Sequence, residues 1–301
     1  MSKPSPRRAS PIAVVFPAKA GAAVALSVFA ASLSLFLSLL PIAAAAEDKP
    51  LWEAGIGAGA IRFPDYRGAD RDQNYILPVP FFVYRGEFLK ADRNGIRGLF
   101  FNSDRVEVNL SLAASAPVDS SDNPTRAGMP DLNPTVEIGP SLDINLWRAS
   151  NKQAKLDLRL PLQTGVTLQR HPESIGLQFA PRFNLDFRDP AGFAGWNLGL
   201  AAGPIFADKK RHRYFYSVQS QYATATRPAY EAGGGYAGTQ FLAAVSKRYP
   251  SFWVGGFVRY DTLKGAVFED SPLMKRDRYF AAGIAMSWIF AESSRRVEAT
   301  D

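Results

Sequence analysis

The amino-acid sequence predicts an all-β protein, a transmembrane antiparallel β-barrel of about 12 strands that follows a cleaved N-terminal signal peptide. Three observations support this fold class. Apolar and polar residues alternate along most of the chain after residue 50. The alternating segments are roughly 10 to 15 residues long, longer than most strands of soluble proteins. Beyond the N-terminus, no apolar run is long enough to cross a bilayer as a helix.

The N-terminus has the three parts of an export signal. A basic opening over 1–19 precedes an apolar stretch over 20–40 and a small-residue end over 43–46. We expect cleavage after Ala46, so that residues 1–46 are a signal peptide. The alternative is a retained transmembrane anchor, because 20–46 is long enough to span a bilayer. The alanines followed by Glu47 and Asp48 favour removal.

The barrel is predicted over 47–290, with a polar C-terminal tail over 291–301. Leu156, Leu158 and Leu160 alternate with polar residues, and similar runs recur along the chain. Gly95 is interpreted as a bulge or bend inside one strand, because a break there would give thirteen strands and invert the sidedness of everything after it. The predicted strands are 51–62, 74–84, 87–101, 104–116, 133–147, 153–169, 173–188, 195–208, 211–221, 237–249, 251–262 and 276–290.

Strand parity then assigns each connection to one side of the membrane. With both termini in the periplasm, the short turns 84–86, 170–172, 208–210 and 249–251 lie there, as barrels require. The longer loops 63–73, 222–236 and 263–275 lie outside. Parity also places the long loop 117–132 in the periplasm, where long loops are unusual, which makes it a candidate partner-binding site. Its candidate residues are Arg126, Gly128, Met129, Pro130, Asp131 and Leu132.

The predicted inward faces of the strands carry charges of both signs. Opposite charges can pair across a narrow interior and hold the barrel rigid, so we expect a lumen network. The alternative is a small-solute pore, although a selective pore more often has one sign of charge in excess at its constriction. The residues assigned to this network are Glu107, Glu137, Asp143, Asp157, Arg159, Arg182, Asp186, Arg188, Arg259 and Asp261.

The last predicted strand resembles the C-terminal signal by which outer-membrane barrels are recognised for assembly. In it a glycine is followed by alternating bulky apolar residues that end in an aromatic one: Gly283, Met286, Trp288 and Phe290. The resemblance implies the barrel assembly machinery as a partner. One departure is that eleven further residues follow Phe290.

Four motifs in order resemble the MipA/OmpV family. They are Pro64-Asp65-Tyr66-Arg67-Gly68 with Leu77-Pro78-Val79-Pro80; the segment from Thr125 through Met129-Pro130-Asp131 to Leu142; Arg227-Pro228-Ala229-Tyr230 with Gly233-Gly234-Gly235; and Asp270-Ser271-Pro272-Leu273. The resemblance implies a non-enzymatic outer-membrane protein. It further implies a scaffold that links a lytic transglycosylase to a murein synthase, while other members act as surface antigens or adhesins. The family has no catalytic residues to transfer to this chain.

Composition excludes several other functions. There is no cysteine, and only His171 and His212 are available as bases, each beside a predicted periplasmic turn and so away from the outer lipid interface. The net charge of +7 comes largely from the N-terminus, so nucleic-acid binding is not expected. No cofactor or metal is expected. The expected surroundings are outer-membrane lipid and lipopolysaccharide, and an adhesin would use the outer-loop aromatics Tyr66, Tyr222, Tyr230, Tyr236 and Phe268.

Overall fold

A computed structural model describes residues 48–86, 89–92 and 95–298, so the predicted signal peptide lies outside the described residues. Fifteen strand segments, one α-helix, α1 (Lys209–Tyr216), and two short 3-10 helices (Pro190–Gly192 and Ser220–Tyr222) make up the regular structure of this part. None of its helices has the length and apolarity needed to cross a membrane. The strands are β1 (Asp48–Pro50), β2 (Trp52–Pro64), β3 (Asp72–Arg85), β4 (Leu89–Asp92), β5 (Gly95–Asn102), β6 (Val106–Ser115), β7 (Thr135–Arg148), β8 (Ala154–Thr167), β9 (Ser174–Phe179), β10 (Arg182–Arg188), β11 (Trp196–Ala207), β12 (Gly235–Arg248), β13 (Phe252–Thr262), β14 (Arg278–Glu292) and β15 (Arg296–Glu298).

The strands β2 to β14 form one antiparallel sheet that closes on itself. β14 pairs with β2, which joins the two ends of the barrel sequence. β9 and β10 both lie between β8 and β11 and act as one wall strand interrupted at Ala180 and Pro181. Counted in this way, the barrel has twelve strands. Among the described residues, β3 pairs with β4 only through Tyr84 and Arg85.

The alternation in sequence reappears as alternation between lipid and lumen. In β14, Phe280, Ile284 and Trp288 are exposed, whereas the intervening Gly283 and Ser287 are buried. A closed sheet satisfies its backbone hydrogen bonds internally. Its outer surface can therefore present apolar side chains to lipid without leaving backbone N–H or C=O groups unpaired. The fold class predicted from the sequence is therefore confirmed.

Two predicted strands are wrong. The predicted strand 87–101 is a hairpin, β4 and β5, in which Asp92 pairs with Gly95. Gly95 therefore begins β5 instead of bending one continuous strand, as an Asn-Gly dipeptide, typical of chain reversals, also indicates. The predicted strand 211–221 is mostly helix α1, which begins where Asp208 accepts a hydrogen bond from the backbone N–H of Arg211.

These two errors cancel in the strand count but not in sidedness. The structure has one strand more than predicted over 87–101 and one fewer over 211–221. Every connection between these two segments therefore lies at the opposite end of the barrel from the predicted one. Loop 117–132 and the turns 170–172 and 208–210 therefore lie at the same end as loops 63–73, 222–236 and 263–275, contrary to the prediction. We call the connections of this end the cap, which comprises 65–71, 116–134, 168–173, 208–234 and 263–277.

The opposite end consists of short turns and the strand ends that flank them. Backbone hydrogen bonds join neighbouring turns, as between Arg188 N–H and Gln153 O at 2.7 Å. β1 and β15 pair there, so the residues after the predicted signal peptide bond with the predicted C-terminal tail. We call this end the base, which comprises 48–51, 85–86, 103–105, 148–154, 188–196, 247–252 and 292–298.

Candidate functional site

The cap has a hydrophobic core of its own at the barrel mouth. Phe268, Leu263 and Leu273 are completely buried there. The ring of Phe268 stacks on Tyr216 of α1 at 3.6 Å between centroids, and His212 meets it edge-on at 4.9 Å. Segments far apart in sequence thus share one core, which makes the cap a packed unit rather than a set of free loops.

Side-chain hydrogen bonds tie the cap loops to each other. The Tyr66 hydroxyl donates to Leu273 O at 2.7 Å, and the Tyr216 hydroxyl donates to Arg67 O at 2.9 Å. Ser271 Oγ donates to Tyr216 O at 2.7 Å. Burial raises the pKa of Tyr66 and of Tyr216 well above the usual tyrosine value, so both hydroxyls stay protonated donors.

Loop 117–132 is built into this cap. Its Asn123 donates to the Asp65 carboxylate at 2.7 Å. Arg227 donates from one guanidinium nitrogen to Thr125 O and Ala127 O, both at 3.0 Å. The prediction that this loop faces away from the other long loops is therefore wrong, because these contacts require them to be adjacent.

The six candidate residues of this loop divide into two groups. Arg126 is only 2 % exposed, with its guanidinium donating to Ser120 Oγ, Phe215 O and Pro130 O and lying over the Tyr66 ring. Leu132 is buried, and Met129 packs against the cap core. The exposed members are Gly128, Pro130 and Asp131. The first group holds the loop in place, which leaves only the second available to a partner.

The outer-loop aromatics assigned to adhesion are likewise built into the cap. Tyr66 and Phe268 are buried in its core, and Tyr222 and Tyr230 pack against that core. Tyr236 packs against Phe206 at 5.8 Å between centroids. Most of their surface is therefore used inside the protein.

Below the cap, a buried carboxylate organises the barrel mouth. Asp261 is completely buried and accepts hydrogen bonds from Arg67 at 2.9 Å, from Arg259 at 2.7 Å and from the Tyr279 hydroxyl at 2.7 Å. Arg67 comes from the loop after β2, so the network joins cap to wall. Alternation identifies Arg259 and Asp261 but gives no signal for a loop residue such as Arg67.

Glu137 is joined to the cap in a similar way. Its carboxylate accepts a charge-assisted hydrogen bond from Arg211, which is on α1. The sequence predicts Glu137 as a lumen residue and misses Arg211, because 211–221 is there interpreted as a strand.

A second network lies along the neighbouring strands β7, β8 and β10. Arg159 lies 3.5 Å from Asp143, and Lys155 pairs with Asp157 at 3.0 Å and with Asp186 at 3.8 Å. The other predicted lumen residues are at least half-buried: Glu107 accepts from Asn109 at 2.9 Å, and Arg182 and Arg188 lie along β10. At the base, Glu53 pairs with both Arg85 and Arg248.

The two histidines both lie at the cap end, with the long loops, and not at the opposite end as predicted. His171 is exposed. His212 is buried, with Nδ1 within 2.7 Å of Gly233 O. Burial lowers the pKa of His212, while that hydrogen bond raises it and Arg67 and Arg211 lower it further. No group of three potential metal ligands occurs in the described part of the chain.

The residues of the predicted assembly signal lie along β14. Met286, Trp288 and Phe290 are half or more exposed toward lipid. Gly283 faces inward, where a Cβ atom would approach the Phe257 ring at 2.7 Å. β14 continues to Glu292, two residues past the predicted end.

Comparison with known proteins supports this architecture. Residues 56–290 match the family described as MltA-interacting protein MipA. Two curated relatives are each 23% identical over 227 residues, covering 73% of this chain and 80% of the relative: outer membrane protein Omp26La of Vibrio anguillarum and outer membrane protein OmpV of Vibrio cholerae serotype O1.

Two solved structures have a distant likeness to this chain. The outer membrane channel COG4313 from Pseudomonas putida F1 has a TM-score of 0.39 at 10% identity, covering 84% of this chain and 100% of that one. The NanC porin has a TM-score of 0.38 at 9% identity, covering 78% and 99%. With the family match spanning most of the barrel, the chain belongs to the MipA family of outer-membrane β-barrel proteins.

Proposed function

We propose that this chain is a non-enzymatic interaction protein of the outer membrane that holds a lytic transglycosylase and a murein synthase at its periplasmic face. The family description supports the first partner, because it names interaction with MltA, a lytic transglycosylase. The second partner comes from the scaffold role implied by the family resemblance. Holding both enzymes together couples the cutting of peptidoglycan to its synthesis.

One observation favours an interaction protein over a solute channel. The barrel mouth is occupied by the protein itself, since Asp261 and the cap core at Phe268 have no exposed surface. The ion pairs of the lumen connect strands to each other and to the cap. An interaction protein needs a rigid barrel and an external surface, whereas a channel needs an unobstructed interior.

The base is the docking face in this proposal. Short turns of bacterial barrels face the periplasm, which orients the base toward periplasmic enzymes and the cap away from them. The turn 189–195 has the most distinctive surface of the base. Phe193 at its tip is 65% exposed, on a backbone where Asp189 and Ala191 have positive φ angles of 49° and 53°. Aromatic side chains, Phe included, are enriched at protein–protein interfaces.

The test is photo-crosslinking in living cells from a probe amino acid at position 193, with a matched probe at position 129 in the cap. Capture of a lytic transglycosylase or a murein synthase from 193, with none from 129, is the expected result. Capture from 129 alone, or from neither position, overturns the proposal.

A solute channel is the second candidate, because the barrel wall is lined by charged residues of both signs, such as Lys155, Asp157 and Arg159. Conduction would require the cap to move from the mouth. Stepwise conductance of the intact protein in planar bilayers would favour this function. Conductance that appears only after the cap segment 217–234 is replaced by a short Gly-Ser linker would count against it.

A further inference from the structure

The two ends of the barrel differ in net charge. The cap is nearly balanced, with twelve Lys and Arg against eleven Asp and Glu. The base has an excess of positive charge, with ten Lys and Arg against five Asp and Glu in its ranges, or six with the adjoining Glu53 that pairs with Arg85 and Arg248. The basic residues of the base are Lys49, Arg85, Arg105, Arg148, Lys152, Arg188, Lys247, Arg248, Arg295 and Arg296, and the acidic ones are Asp48, Asp104, Asp189, Glu292 and Glu298.

Part of this excess is concentrated on two neighbouring turns. Arg105, Arg148 and Lys152 are all exposed, and the turn of Arg105 is joined to β7 by the hydrogen bond from Asn145 N–H to Arg105 O at 2.8 Å. Among the described residues, no acidic side chain lies within ion-pairing distance of these three. Their charges are therefore available to a partner in solution. We call this set the basic arc.

The basic arc lies at and beyond the edge of the bilayer. Trp147, which precedes Arg148, is 51% exposed at the end of β7, and exposed aromatic residues at strand ends mark the membrane interface of barrels. Lys152 and Arg105 are in the turns that follow the strand ends. They consequently project toward the aqueous side, farther from lipid headgroups than Trp147.

We propose that the basic arc binds peptidoglycan directly, through the carboxylates of its stem peptides. The inference rests on the orientation used in the proposed function, in which the base faces the periplasm. Exposed positive charges spread over two turns suit a repeating polyanion better than a single small ligand, because each charge contributes a weak contact and a polymer engages many. A scaffold that touches its enzymes' substrate would also keep those enzymes next to it.

The test is co-sedimentation of the purified full chain, in detergent micelles, with purified peptidoglycan sacculi. The first variant combines Arg105→Gln, Arg148→Gln and Lys152→Gln. The matched control combines Lys210→Gln, Lys264→Gln and Lys275→Gln, which removes three exposed charges from the cap. We expect at least about a tenfold loss of binding for the first variant and little change for the control. Amidation of the sacculus carboxylates should reduce binding of the native chain equally.

Equal binding by the native chain and both variants overturns the inference. So does a charge-dependent interaction that appears with vesicles of phosphatidylethanolamine and phosphatidylglycerol but not with sacculi, because the arc would then serve lipid headgroups. Failure of the proposed function is separable. Sacculus binding without enzyme capture from position 193 would retain the peptidoglycan contact and remove the scaffold.

Discussion

The cap and the base close the two ends of one barrel by different means. In the cap, long loops are joined by side chains from distant parts of the sequence, such as Tyr66 with Leu273 and Arg227 with Thr125. In the base, short turns are joined mainly by backbone hydrogen bonds between neighbouring hairpins, as between Arg188 and Gln153. The cap therefore depends on a few buried groups, whereas the base carries exposed charged side chains such as Arg105, Arg148 and Lys152.

Among the changes that test this contrast between cap and base, removal of the Asp261 carboxylate should have the largest effect on stability. Asp261→Asn leaves Arg67 and Arg259 buried beside a neutral group, at a cost of about 3 to 5 kcal/mol. Urea unfolding in lipid vesicles, followed by tryptophan fluorescence, measures the loss. Asp270→Asn, at an exposed cap carboxylate, is the control. A loss below about 1 kcal/mol would show that the network does not join cap to wall.

Deleting the central ring of the cap core should weaken the cap while the barrel stays folded. Phe268→Ala removes the partner of both Tyr216 and His212, with an expected cost of about 3 kcal/mol to the cap. Trypsin cleavage at Lys264 and Lys275 should accelerate, with the barrel fragment still resistant. Val267→Ala, at a 40% exposed neighbour, should not change cleavage. Equal rates for both variants would contradict a shared cap core.

Acidification should loosen the cap by a smaller amount. Burial lowers the pKa of His212 below its usual 6.5, so the unfolded cap takes up a proton before the folded cap does. Stability is therefore complete above about pH 6.5 and is lost as the pH falls from there through the lowered pKa. Hydrogen exchange of cap peptides, corrected for intrinsic rates, should rise between pH 7.5 and 5.5. His212→Gln should flatten that rise, and an unchanged slope would exclude His212 as its source.

The smallest effect on stability is expected at the base. Phe193→Ala removes a ring that is 65% exposed, so the free energy of unfolding should change by less than about 0.5 kcal/mol. Enzyme capture in cells, measured from a photo-crosslinking probe at the neighbouring position 192, should nevertheless fall. Asp104→Asn, elsewhere on the base, is a control for nonspecific loss of capture. A clear loss of stability in Phe193→Ala would mean that the turn is structural.

The sequence predictions were accurate for the barrel wall and less so for the cap. The barrel wall could be predicted because a sheet between lipid and lumen imposes a period of two on every strand, which is visible without any contact information. This pattern is local and periodic.

The cap could not be predicted in this way, because irregular loops have no period. Arg67 and Arg211 are recognisable as network residues only after folding brings them to Asp261 and Glu137. The sequence assigned loop 117–132 to the wrong end because it interpreted Asn94-Gly95 as a bend within one strand. One missed strand moves every later connection to the opposite end, until the second error, over 211–221, reverses the assignment again.

The sequence by itself therefore determined that this protein is an antiparallel outer-membrane barrel with a polar, charge-balanced interior. Only the tertiary structure decided which connections share an end, that α1 is a helix, and that Arg126 and Leu132 hold the cap together. The physical reason is the range of the forces involved. Alternation reflects the contact of each residue with lipid or lumen, whereas the cap is defined by packing between segments up to about two hundred residues apart, as for Tyr66 and Leu273.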